Sequence, residues 1–129
     1  MTLPNNHLET PLLINPHPGQ LTGELAIPGS KSYTNRLLLA AALAAGTSTI
    51  DHILDSSDSQ AMMQALRALG IPVNQTKQTV TINGAGGVWP IQKGPVYVGS
   101  AGTVARFLIP ALAFSPTGQW DLDASPQMK

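Results

Sequence analysis

Nine consecutive residues from Leu37 to Ala45 are leucine or alanine, and no other stretch restricts the fold as strongly. Both residue types rank among the best intrinsic helix formers. Hydroxyl side chains stand at its start, from Ser32, and Gly46 lies just past its end, so N-cap and C′ signals bracket a helix predicted over residues 32–45. The run is far shorter than the roughly 20 apolar residues that cross a bilayer. It is expected to be a core helix of a soluble, cytoplasmic domain with no membrane partner. Lys and Arg number 7 against 7 Asp and Glu, which leaves no bulk field for nucleic acid. The absence of cysteine removes disulfides, thiolate nucleophiles and cysteine-based zinc sites together. The first 20 residues lack the basic start and apolar centre of a secretion signal.

The rest of the chain alternates strand and helix signals. Residues 1–20, with four prolines, are expected to form an extended arm, and residues 21–129 a partial domain. "ELAIP" (24–28) reads as a short strand closed by Pro28 and Gly29. "TSTIDHIL" (47–54) reads as a second strand that includes His52, a partly exposed strand residue on this reading. "DSSDSQAMMQALRALG" reads as a capped helix of about 12 residues from Asp58, with Met62, Met63 and Leu66 packing inward and Gly70 closing it. Residues 73–84 suggest a hairpin, 94–100 another strand, 101–114 a helix that Pro110 kinks or restarts, and 119–125 a last strand. Trp89 and Trp120 are expected over the core. Gly29-Ser30 with Arg36 recurs as Gly99-Ser100 with Arg106, seventy residues on, which suggests a duplicated strand-loop-helix unit.

The first of these junctions carries unexpected charge. A helix start exposes unpaired N–H groups and the positive end of the macrodipole, which favours acids and disfavours cations by a few tenths of a kcal/mol each. Here Lys31 precedes the predicted helix and Arg36 sits in its second turn. Ser32 and Arg36 are four apart and share one face, and the flexible Lys31 stem reaches the same point from the loop. An Arg fork suits a carboxylate or phosphate, and a Lys supplies a point charge to a second anionic group. The trio therefore suits a small, multiply anionic metabolite. It is not a P-loop, because Ser30 separates Gly29 from Lys31 and Gly23 lies one residue too far back.

"LAIPGSKSYTNRLLLAAALAAGTSTI" resembles the amino-terminal region of the 5-enolpyruvylshikimate-3-phosphate synthases. "LDSSDSQAMMQALRALG" resembles the family's L-x-S-D-D helix and "GSAGTVARFL" its G-N-A-G-T-x-x-R loop, and Met128-Lys129 is similar to the opening of its M-K-x-R-P run. The resemblance covers about residues 21–129. It implies an α/β fold of the enolpyruvyl-transferase kind, built from β-α-β-α-β-β units, with one unit and the start of a second in this chain. It also implies transfer of the enolpyruvyl group of phosphoenolpyruvate to the 5-hydroxyl of shikimate-3-phosphate with release of phosphate, in aromatic amino acid biosynthesis. No metal or organic cofactor is implied. Matched by position, Lys31 would touch both substrates as the catalytic residue, Ser32 and Arg36 would hold shikimate-3-phosphate, and Gly102 would admit phosphoenolpyruvate to its backbone. Ser100, Thr103 and Arg106 would shape that second loop.

The chain departs from the family pattern at two positions, with Ser100 in place of the usual Asn and Phe107 in place of the usual Pro. It is also about a third of a family member's length. The expectation is an amino-terminal portion, inactive alone, whose partner is the missing carboxy-terminal portion of the enzyme. None of Asp51, Asp55, Asp58, Asp121 and Asp123 is obviously paired for acid/base work. The alternatives are a non-catalytic fragment that only assembles with a complementary chain, and a relative of the UDP-N-acetylglucosamine enolpyruvyl transferases. The latter normally carry Lys-Asn where this chain has Lys31-Ser32, and a reactive Cys that this chain lacks.

Overall fold

The computed structural model describes residues 13–16 and 18–128, so most of the expected arm, including His7 and His17, and also Lys129, lie outside the described residues. The order of elements is α1 (Lys31–Leu43), β1 (Ala45–Ile50), α2 (Ser57–Ala68), β2 (Val73–Thr76), β3 (Thr79–Ala85), β4 (Lys93–Tyr97), α3 (Gly102–Ala113) and β5 (Gln119–Asp123). It is a mixed α/β chain. β1, β3 and β2 form an antiparallel sheet in that order, and β4 pairs in parallel with β5 across α3. A parallel pair needs such a crossover, whereas β2 and β3 need only the two-residue loop Lys77-Gln78.

Local chemistry accounts for the helices. Ser30 caps α1, its Oγ accepting the Tyr33 N–H at 3.4 Å. Ser56 and Ser59 cap α2 reciprocally. At the other end of α2 the Gly70 N–H donates to Arg67 O and the Ile71 N–H to Leu66 O, both at 3.0 Å, with Gly70 at a φ of +87°. This is a Schellman stop, and it fulfils the expectation for Gly70. α3 runs unbroken through Pro110, with no fresh start there.

Several expectations are corrected. Residues 24–28 form no strand and pair with no described strand. α1 ends at Leu43 with Ala44 extended, so Gly46 falls inside β1 and is not a C′ residue. The sheet captures the chain early, since Ala45 already faces Ala85 and Gly46 faces Gly84. His52 lies beyond β1, exposed, at a φ of +55°.

One core cluster draws on all three helices and on β3. Leu38 and Ala42 of α1, Met62, Met63 and Leu66 of α2, Val104 and Leu108 of α3, and Val80 and Ile82 of β3 are fully buried. Trp89 is buried too and donates its Nε1–H to Ala111 O at 3.4 Å, while Trp120 is only half-buried. Large apolar side chains stay outside, among them Leu25, Ile27, Ile109 and Phe114.

Candidate anion-binding site

Gly29 sets the entry to α1. A Cβ there would lie 2.1 Å from the His52 carbonyl oxygen and under 3 Å from backbone atoms of Ile53 and Leu54, so glycine alone permits this approach. Thr34, on the first turn, accepts the Leu54 N–H at 3.0 Å. The start of α1 is thus tied to the segment that leads into α2. Lys31 proves to be the first helical residue of α1, not a loop residue. Its Nζ lies 3.3 Å from Oδ2 of Asp58, in the first turn of α2.

Arg36 follows five residues later on α1. Its Nη1 donates to the Ser32 carbonyl at 3.2 Å and to Ser32 Oγ, so the pair expected to share a face does so. Its guanidinium carbon lies 5.2 Å from the centre of the Phe107 ring on α3. Nε and Nη2 bond to nothing among the described residues, which leaves one edge of the fork open to a ligand. Between them Asn35 is fully buried with neither amide atom bonded among the described residues, a condition costing about 1–3 kcal/mol per group. This turn of α1 is not arranged for stability alone.

The second loop starts α3 without a side-chain cap, so Gly102 and Thr103 stand in a first turn whose N–H groups no side chain meets. Gly102 is exposed with open space where a Cβ would be. Arg106 is exposed and forms neither hydrogen bond nor ion pair among the described residues. Ser100 Oγ bonds to Ser125 Oγ at 2.7 Å. The two junctions seventy residues apart differ in their side-chain contacts: Ser30 caps its helix and Ser100 does not, and Arg36 meets Phe107 whereas Arg106 stands open.

A cavity of about 310 Å³ lies between α2 and the second loop, lined by Ser57, Asp58 and Gln60 of α2 and by Gly99, Ser100 and Ala101. Lys31, Ser32 and Arg36 are not in its lining, but Asp58 is, and Asp58 carries Lys31 at its edge. Three helix starts consequently lie at one end of the molecule. From the residues alone, Asp58 reads only as part of a helix cap and Phe107 only as a departure. The acid beside Lys31 could not be read from the residues, because it depends on which helix ends share a face.

Asp58→Asn tests the pairing. Removing a charge some ångströms from the amine relieves about 0.5–1 kcal/mol of repulsion on an incoming anion in a watery site. Inorganic phosphate is expected to bind about two- to fivefold more tightly at low salt, read by NMR titration, with the gain shrinking near 1 M salt. Unchanged or weaker binding would mean that Asp58 holds Lys31 in its working position.

Three helix starts, an open guanidinium edge and an ammonium stand at one end of a mixed α/β chain, an arrangement whose chemistry suits a small anion. Residues 16–129 match the family described as EPSP synthase (3-phosphoshikimate 1-carboxyvinyltransferase), and the chain belongs to that family. It is 44% identical over 109 residues to the 3-phosphoshikimate 1-carboxyvinyltransferase 2 of Halalkalibacterium halodurans, covering 84% of this chain and 24% of that protein. It is 44% identical over 119 residues to the 3-phosphoshikimate 1-carboxyvinyltransferase of Bordetella petrii, covering 92% and 26%. An EPSP synthase structure from Acinetobacter baumannii superposes with a TM-score of 0.68 at 29% identity, over 83% of this chain and 25% of that one. The chain thus spans about a quarter of the length of these relatives, less than the expected third.

Proposed function

We propose that this chain carries the amino-terminal share of a carboxyvinyl transferase site, for phosphoenolpyruvate and shikimate-3-phosphate. In the net reaction the 5-hydroxyl oxygen bonds to the enolpyruvyl carbon, the bond from that carbon to the phosphate oxygen breaks, and the hydroxyl proton leaves with phosphate. The observation that carries the reading is the placement of Lys31, Ser32 and Arg36 on the first two turns of α1 in a chain of this family. Arg36 and Ser32 bind the shikimate-3-phosphate, the open edge of the fork taking a pair of oxygens. Lys31 exchanges Asp58 for substrate oxygens and touches both substrates. Gly102 brings its backbone against phosphoenolpyruvate, where uncapped N–H groups favour an anion, and Ser100, Thr103 and Arg106 shape that loop.

The same reading takes residues 24–85 as one β-α-β-α-β-β unit and 93–123 as the start of a second, with 24–28 finding its strand partner in the further length that the relatives have. The carboxylates for proton transfer belong to that further length, so turnover requires it. The setting is the cytoplasm; among the described residues no helix is long and apolar enough to cross a membrane.

Titrating the chain with shikimate-3-phosphate while following backbone shifts tests the reading. Shifts are expected at Lys31, Ser32 and Arg36, and later addition of phosphoenolpyruvate is expected to move Gly102 and Thr103. Shifts confined to the β1-β3-β2 sheet would overturn it.

A further inference from the structure

We propose that Phe107 is a positioning residue that orients Arg36 for its anionic ligand. The ring is half-buried and packs on the core, so its position is fixed by α3. The guanidinium lies over it at 5.2 Å, within the roughly 6 Å over which a ring face attracts a cation. Ser32 holds Nη1 of the same group. An exposed arginine otherwise samples many rotamers and loses that freedom on binding. Two supports, a hydroxyl on Nη1 and a ring face under the guanidinium carbon, restrict that freedom in advance and leave Nε and Nη2 without a partner among the described residues. The contact also couples α1 to α3, so the two loops of the proposed site are held in one relative placement.

The identity of the ligand rests on the function proposed above, whereas the orientation of Arg36 does not. Two readouts keep them apart. In the unliganded chain the Arg36 Nε–Hε and δ-methylene resonances are expected to be moved upfield by the ring, the displacement vanishing in Phe107→Leu and persisting in Phe107→Tyr. With shikimate-3-phosphate as the probe, Phe107→Leu is expected to raise Kd about three- to fivefold and Phe107→Tyr to leave it near the starting value. In an Arg36→Ala background Phe107→Leu is expected to change nothing further.

Absence of a ring-induced displacement in the unmodified chain overturns the proposal without any variant having to fold. So does a loss of affinity from Phe107→Leu that is equally large with Arg36 present and in the Arg36→Ala background, which would mean that the ring acts through the fold. If the unmodified chain ignores shikimate-3-phosphate while the displacement is present and lost in Phe107→Leu, the orientation stands and the ligand assignment fails.

Discussion

Gly84→Ala is expected to lower the stability of the chain by about 3 kcal/mol, at the upper end of the usual cost of overpacking. A Cβ on Gly84 would lie 2.2 Å from the carbonyl oxygens of both Ala41 and Ala44, so the last turn of α1 and the end of β3 would have to part. Neither neighbour is the tip of a flexible side chain. Both are backbone, and Ala44 O also accepts the Gly86 N–H at 2.9 Å, so retreat would break a second contact. Ala41 and Ala42 are buried and Leu38 is fully so, which means that moving α1 also opens the core beneath it. For a chain of this length the loss corresponds to a midpoint roughly 10 °C lower in thermal unfolding. Gly102→Ala is the matched comparison. That position has no atom within 4 Å of a Cβ and no left-handed backbone, so its stability should change by no more than about 1 kcal/mol. Circular dichroism melts of the two variants decide the matter, and equal midpoints would mean that α1 does not rest on β3 as described.

That contact also shows which parts of the molecule could be read from residues alone. The helices were legible because their signals are local: hydroxyls ahead of the Leu/Ala run, the Ser56 cap before Asp58, and Gly70 where a left-handed residue ends α2. The β2-β3 hairpin was legible from a Thr- and Val-rich pattern around a polar turn. Gly46 misled because the same residue type serves a helix stop or a strand, and pairing with Gly84, thirty-eight residues away, chose the strand. Residues 24–28 carry a strand pattern, but strand propensity takes effect only beside a partner. At the site, Ser32 and Arg36 were readable as an i, i+4 pair, which depends on helical geometry alone. The Lys31–Asp58, Arg36–Phe107 and Ser100–Ser125 contacts span 27, 71 and 25 positions. They follow from the layout of α1, α2 and α3, which no local pattern encodes.

Lys31→Ala and Arg36→Ala are each expected to weaken shikimate-3-phosphate binding by about 10- to 100-fold, the range for a charge-assisted contact of roughly 1.5–3 kcal/mol. The two losses differ in character. Lys31 must give up Asp58 before it meets a ligand, so its contribution is the difference between two ion pairs and should be the smaller of the two. Arg36 loses nothing on binding, because its donors to Ser32 and its open edge are different N–H groups. Arg36→Lys should therefore recover little, since an ammonium cannot span two oxygens with a planar fork. Both side chains are exposed and Ser30 still caps α1 in either variant, so the melting midpoint should hold within a few degrees. Isothermal titration with melts run on the same samples separates the two effects. Full affinity in Arg36→Ala would remove the first junction from the site, because no other guanidinium lies on α1 to replace it.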